Sequence, residues 1–296
     1  DRNLDWVQSA QVTGISDKPL LQWEGGRFFL GTVKFEPGKG DLRFTSLDGV
    51  TWNPVTGGPE MPVVANEGIF AGRWGVTWSS DGVNWSPADS AGAEIDSYLM
   101  VPWGGGFFGY NRFGEAWQSE DGSRWEQVGA GLPNPGSTGV ARDIKRLGAV
   151  LIAGGSLGTL VSSSDGGRSW TPSTVNGVPV PANWEIRHVK IGAGRAWALV
   201  RRGANEPDYF ALSTADGRDW RFEPLFDDFD IVDLAFTQGE SHALGADGTL
   251  IYSNDGWTTW EPRWVPGLTT GLGLVRYAGR WVVFGQTAGA GAAEGR

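Results

Sequence analysis

The sequence predicts an all-β chain folded as a single β-propeller, most simply of seven blades of four antiparallel strands, with six blades as the alternative count. Three observations carry that prediction. A Ser/Thr-x-Asp-Gly…Trp motif repeats along the chain, its spacing is that of a four-stranded blade, and the intervening runs are short, apolar and bounded by glycine.

The motif occurs six times, at Ser46–Trp52, Ser79–Trp85, Ser119–Trp125, Ser163–Trp170, Thr214–Trp220 and Ser253–Trp260. Its aspartates are Asp48, Asp81, Asp121, Asp165, Asp216 and Asp255, separated by 33, 40, 44, 51 and 39 residues. A mean near 41 residues matches the roughly 40–45 of a propeller blade. Each position has a task in a tight hairpin. The Asp carboxylate accepts nearby backbone N–H groups, Gly adopts positive φ without strain, and the Ser or Thr hydroxyl adds a local bond. The Trp is expected to open the next strand and lie between neighbouring sheets, burying a large apolar ring.

Upstream of most motifs a Gly-containing turn interrupts an apolar run, as in Ala71–Gly75, Gly154–Gly158 and Gly245–Gly248, with Tyr110–Gly114 as a variant. Before these turns lie Arg27–Leu30, Ala149–Ala153, Ala196–Val200 and Trp281–Phe284, rich in β-formers as buried strands should be. One blade therefore reads as strand A, a turn, apolar strand B, a glycine turn, strand C, the Asp hairpin and strand D.

The blade count rests on the chain ends. Beyond Asp255 the runs Gly273–Tyr277 and Arg280–Phe284 supply strands A and B of a further blade. Leu4–Val7 matches Arg218–Arg221 and is expected to close that blade as its strand D, leaving the Gly/Ala-rich tail 287–296 for strand C. The whole of 1–296 is thus expected to be one propeller domain.

Composition bounds the function. The chain has 296 residues, 47 Gly, 17 Trp, no Cys and a formal net charge of −10. An acidic surface repels phosphate backbones, so no nucleic-acid partner is expected. No run approaches the ~18 apolar residues of a membrane helix, so no membrane insertion is expected. Without Cys there are no disulfides, thiolate metal sites or cysteine nucleophiles. The only two histidines, His188 and His242, have no partner at metal-ligand spacing, so no metal and no cofactor is expected. The chain begins at Asp1 rather than Met, which leans towards a trimmed, exported protein, periplasmic or extracellular.

The repeated hairpins resemble those of the Asp-box (BNR-repeat) propeller superfamily, which includes sialidases, xyloglucanases, sortilin-type receptors and photosystem II assembly-factor-like proteins. The Gly-x-x-Gly turn followed by Ser163–Trp170 is most similar to the last group. The resemblance spans nearly the whole chain. It implies that the six aspartates are structural and that ligands meet the opposite face, formed by B–C turns and D–A connections. It does not imply one function, because the motif occurs in enzymes and non-enzymes alike.

On that face the candidate ligand-binding residues are those near the start of strand A: Asp96, Asp143, Arg187 and Asp233, with Arg276 and Tyr277 in another blade. Charged groups there also fit a merely solvated channel. The acidic group Asp227, Asp228 and Asp230 fits either a hard cation or a solvated loop. The loop 201–208 is long enough for recognition.

The expected function is a non-enzymatic binding or assembly scaffold presenting a propeller face to a protein or glycan partner. The alternative is a glycoside hydrolase of the sialidase-like type, which requires three arginines on a carboxylate, a Tyr nucleophile with a Glu partner, and an Asp. Arg142, Arg187 and Arg276 with Tyr277 are the residues available for it, but no Arg-Ile-Pro element is present, and no catalytic residue is assigned. A third option is a module of a larger surface protein that contacts protein or polysaccharide through Trp23, Trp74, Trp103, Trp184 and Trp264.

Overall fold

A computed structural model of the chain describes residues 6–10, 19–32, 42–55, 60–73, 76–89, 97–111, 115–129, 132, 141–203, 208–223, 231–237, 239–255, 258–277, 280–287 and 291–295. The fold is all-β, a seven-bladed β-propeller of four-stranded antiparallel blades.

Strand β1 (Trp6–Ala10) belongs to the last blade. Blade I is β2 (Pro19–Glu24), β3 (Arg27–Thr32), β4 (Leu42–Ser46) and β5 (Asn53–Pro54). Blade II is β6 (Glu60–Asn66), β7 (Ile69–Arg73), β8 (Thr77–Ser79) and β9 (Ser86–Pro87). Blade III is β10 (Ser97–Trp103), β11 (Gly106–Asn111), β12 (Ala116–Ser119) and β13 (Glu126–Gly129). Blade IV is β14 (Ala141–Leu147), β15 (Val150–Gly155), β16 (Leu160–Ser163) and β17 (Thr171–Pro172). A short hairpin follows, β18 (Thr174–Val175) and β19 (Val178–Pro179). Blade V is β20 (Trp184–Gly192), β21 (Arg195–Arg202), β22 (Asp208–Thr214) and β23 (Asp219–Glu223). Blade VI is β24 (Ile231–Phe236), β25 (Ser241–Gly245), β26 (Thr249–Ser253) and β27 (Glu261–Trp264). Blade VII is β28 (Leu268–Tyr277), β29 (Arg280–Thr287) and β30 (Gly291–Gly295), completed by β1.

The chain forms two compact units. The first comprises Asp1–Pro87, Asp230–Ala235 and Glu240–Arg296, and so holds blades I, II and VII and most of VI. Here the N-terminal strand closes the last blade as expected, with Trp6 opposite Gly295 and Val7 opposite Glu294. Gln22 in strand A of blade I is matched to the backbone of Val63 in strand A of blade II. It accepts the Val63 N–H at 2.8 Å and donates to the Val63 carbonyl at 3.3 Å. The apolar faces are shared between blades: Leu21, Phe28 and Leu30 pack with Val282 and Phe284, and Leu244 and Leu250 pack with Leu274, Trp281 and Val283.

The second unit, Ala88–Phe229 with Phe236–Gly239, holds blades III, IV and V. Strand B of each blade explains the strand's apolar run. All of Leu151–Gly155 and Ala196–Val200 are buried, because sheets cover both of their faces. Leu99, Val101 and Phe108 pack with Ile144, Leu151 and Ala153, and Ile152 with Ile186, Val189 and Ala198. Phe236 stacks on Trp197 with centroids 4.8 Å apart. Two connections also cover strand edges that would otherwise be open. Asp89 forms a parallel bridge with Arg124, and β18 pairs in parallel with β23, so the sheet of blade V has six strands.

The motif tryptophans differ from the simple expectation in two ways. Only Trp220 lies inside a strand D; in the other blades the strand begins one residue later. Their burial also varies. Trp125 and Trp220 are 1% and 0% exposed, whereas Trp260 is 45% exposed. A ring is buried only where the neighbouring sheet reaches it, so the motif sets the hairpin and the neighbour sets the burial.

Candidate functional site

The six motif aspartates bond within their own hairpins. In blade I the Ser46 hydroxyl donates to Asp48 Oδ1 at 2.9 Å and accepts the Gly49 N–H at 2.9 Å. The same Oδ1 accepts the N–H groups of Val50 and Thr51 at 2.9 and 2.7 Å. The other hairpins repeat this pattern around Asp81, Asp121, Asp165, Asp216 and Asp255. Donors aimed at a carboxylate favour its charged form. The hydroxyl and N–H of Ser169 hold Asp165 down to about 2, and the N–H groups of Asn84 and Val83 hold Asp81 lower still. Carboxylates so engaged serve the turn. The blade IV and blade VI hairpins are one residue longer, and Gly167 in blade IV has φ +84° with Phe108 so close that a Cβ would sit 2.2 Å from its ring.

Two of the strand A candidates are engaged with the next blade. Asp143 Oδ2 accepts the N–H of Val189 at 2.9 Å, while its Oδ1 takes the Lys145 ammonium at 2.7 Å. Burial disfavours its charge, yet Lys145, His188 and the Val189 N–H outweigh that and keep the carboxyl below its ordinary range. In the first unit Asp233 does the same, accepting the N–H of Leu274 at 3.0 Å through Oδ2 and that of Leu234 at 2.9 Å through Oδ1. Gln22 makes the equivalent contact in blade I. Arg276 and Tyr277 end β28, opposite Trp281 and Arg280. Asp96, Trp74 and the acidic group Asp227, Asp228 and Asp230 lie outside the described residues, as do 204–207 of the loop 201–208.

Arg187 belongs to a cluster in the second unit. Glu185 in β20 lies opposite Arg201 in β21, and Arg187 follows two residues along at a β-bulge between Ile186 and His188. Arg142 comes from β14 of the preceding blade. Its guanidinium lies 2.8 Å from the Glu185 carboxylate, with Arg201 at 3.6 Å and Arg187 at 3.8 Å. Glu185 is largely covered, while Arg142 and Arg187 remain 48% and 37% exposed. Three guanidiniums thus converge on one carboxylate, on a chain whose net charge is −10.

The B–C turn of blade IV adjoins this cluster. Arg142 Nε donates to the Ser156 hydroxyl at 3.1 Å. The next residue, Leu157, is 55% exposed and held at φ +54°, a conformation that costs a branched side chain roughly 1–2 kcal/mol. The turn is fixed by the Gly158 N–H, which donates to the Trp184 carbonyl at 2.7 Å. An exposed apolar residue thus follows directly on the one that Arg142 contacts. The sequence pointed to Arg142, Arg187 and Arg201 separately; the residue it did not single out is Glu185. Cross-strand register would have found it, because Glu185 and Arg201 face each other across the A–B pair.

Other candidates have packing roles. His242 is buried against the rings of Tyr252 and Trp281. Trp184 is buried against Phe210, and Trp23 packs on Phe28. Trp264, at 72% exposed, stands on strand D of blade VI. Among the described residues, no group of three or more His, Asp or Glu is placed to hold a metal ion, and no helix is long and apolar enough to cross a membrane.

The class of protein these features define is a seven-bladed β-propeller with a cationic cluster on one unit. No protein-family model and no curated protein matches the sequence. Solved structures do. YCF48 from Cyanidioschyzon merolae is 16% identical with a TM-score of 0.68, covering 98% of each chain. A YCF48 bound to D1 peptide is likewise 16% identical at TM-score 0.68, over 100% of this chain and 95% of the other. The GH74 xyloglucanase from Xanthomonas campestris is 16% identical at TM-score 0.65, over 98% of this chain and 53% of its own. At such identities the likeness is one of fold.

Proposed function

We propose that this chain is a non-enzymatic binding scaffold of the Asp-box propeller kind, taking an acidic segment of a protein partner on the surface formed by Arg142, Arg187, Arg201 and Leu157. The observation that carries the reading is the convergence of three guanidiniums within 3.8 Å of one largely covered carboxylate. Arginine binds carboxylates through paired donors and also stacks on apolar groups, and it is enriched where proteins meet. The exposed Leu157 supplies the apolar neighbour that a protein partner can cover. A propeller of the same fold has been seen with a peptide bound, which supports a protein partner here. An exported location would suit such a scaffold.

The hydrolase reading keeps one supporting observation, because a sialidase also gathers three arginines on one carboxylate, but here that carboxylate is the chain's own Glu185. Both readings are tested together. Partners captured from the source cell by wild-type protein should be lost with Arg142→Glu plus Arg187→Glu, and a panel of fluorogenic sialosides and glycosides should show no turnover. Turnover that survives Asp48→Ala and disappears in Arg187→Ala would establish the hydrolase instead.

A further inference from the structure

The second unit carries a cleft of about 590 Å³ at the Asp-hairpin end of blade III. That volume lies within the roughly 300–1,000 Å³ of small-molecule sites. Its floor is the β10–β11 turn with Phe107, and its walls carry Trp103, Gln118, Glu120, Arg124, Glu126 and Arg168. The sheet explains how they meet. Gln118 and Glu126 are cross-strand partners in β12 and β13 and share a face, and Trp103 ends β10. Arg168 comes from the hairpin of blade IV. That hairpin is fixed against blade III, since Gln118 Nε2 donates to the Gly166 carbonyl at 2.8 Å and a side chain at Gly129 would meet the Arg168 backbone at 3.1 Å.

The chemistry of the walls is mixed and only partly used: Gln118 is taken up by Gly166, and Arg168 Nη1 donates to the Asp165 carbonyl at 2.9 Å, leaving its other guanidinium nitrogens. Among the described residues neither Glu120 nor Glu126 forms an ion pair or hydrogen bond, and the Arg124 guanidinium forms none. Acceptors and donors therefore face the same space without neutralising each other. Beside them the indole of Trp103 is half-buried, with the Arg146 guanidinium 5.5 Å over its ring. A ligand matched to this set offers an apolar C–H face to an aromatic ring and hydroxyls that both donate and accept. Those are the properties of a pyranose. A peptide finds no apolar pocket here, because Phe107 is covered and Val128 is only partly open.

We propose that this cleft binds a short neutral oligosaccharide. One ring stacks on Trp103, and its hydroxyls donate to Glu120 and Glu126 and accept from Arg124 and Arg168. The site goes beyond the protein-partner reading and shares no residue with the cluster at Glu185.

The test is binding of the full chain to arrayed neutral gluco-, manno-, galacto- and chito-oligosaccharides, followed by calorimetry with the tetrasaccharide of each binding class. Binding should weaken about 10-fold or more in Glu126→Gln and in Trp103→Ala, as expected for loss of a hydrogen bond to a charged group or of the stacking surface. Trp103 also packs against the blade core, so Glu126→Gln and Arg124→Ala, both exposed, keep the test decisive if Trp103→Ala fails to fold. The Arg142→Glu plus Arg187→Glu variant should bind the same saccharide unchanged, which separates this site from the protein-binding reading. No binding on the array, binding indifferent to Glu126→Gln and Arg124→Ala, or binding lost only in the arginine variant would each overturn the proposal.

Discussion

The Oδ2 oxygen of Asp143 accepts the backbone N–H of Val189 at 2.9 Å, joining the first strands of two successive blades through a side chain. Removing that carboxylate leaves a buried N–H and the Lys145 ammonium without their acceptor. Asp143→Ala should cost about 2–3 kcal/mol and Asp143→Asn, which keeps one acceptor, about 1–2 kcal/mol. Guanidinium denaturation with an unchanged slope is the measurement. The pH dependence has a definite sign. The folded carboxyl titrates below its ordinary range, so its contribution is fully present above about pH 4 and fades as pH falls through the folded value. A loss under about 0.5 kcal/mol for Asp143→Ala would mean that the contact holds nothing together.

The six hairpin aspartates extend the same linkage to acid. All six carboxyls are lowered, chiefly by N–H and hydroxyl donors within their own turns, with Asp165 at about 2. Their stabilisation is complete above about pH 4 and is withdrawn as pH falls below it, down to about 2 for Asp165, since the unfolded chain takes up protons first. These groups are exposed, so each contributes modestly. The urea midpoint should therefore fall across that window and be indifferent to them above about pH 5. Asp165→Asn should show a shallower acid slope than wild type. An equal slope in the two proteins would contradict the assignment.

Two tryptophans at the same place in the motif should behave differently. Trp125 is 1% exposed, its Nε1 donates to the Gly122 carbonyl at 2.9 Å, and Phe107 lies 6.3 Å away; Trp260 is 45% exposed. Trp125→Ala should lose about 3–5 kcal/mol through transfer and cavity terms. Trp260→Ala should lose under about 1 kcal/mol, as a surface change does. Denaturant midpoints of the two variants decide it, and similar losses would show that the motif position alone sets the energetics.

That contrast marks what the sequence could convey. Hairpins such as Ser46–Trp52 are local, so spacing and residue type were enough to place them, and a period near 41 residues then implied the blades. The closure of blade VII was also legible, because Trp6 and Val7 matched a strand D and found Gly295 and Glu294. Relations between blades were not. The strand A aspartates read as channel groups, and only the structure shows Asp143 and Asp233 bonded to Val189 and Leu274, 46 and 41 residues away. Asn176-Gly177, at φ +50° and +78°, is a local hairpin signal within Thr174–Pro179 that went unused, but nothing local announces that this hairpin pairs with β23. For Glu185 the cross-strand register with Arg201 was a usable signal, whereas the approach of Arg142 from another sheet was not.

The cluster at Glu185 can be interrogated without knowing the partner. Glu185→Gln removes the carboxylate that Arg142, Arg187 and Arg201 share, leaving three like charges close together. At low ionic strength this variant should be less stable than wild type, and the deficit should shrink with salt as screening sets in. Phosphate or sulfate should restore it more effectively than chloride, because these anions accept several hydrogen bonds from guanidinium forks. Linkage gives about 1 kcal/mol once the anion exceeds its dissociation constant by roughly five-fold, a rise of about 2–3 °C in melting temperature. Adding Arg142→Ala to Glu185→Gln should reduce the phosphate-specific gain. If the single variant responds to phosphate no more than wild type does, the guanidiniums do not form a shared anion site, and the surface they define loses its claim on an acidic partner.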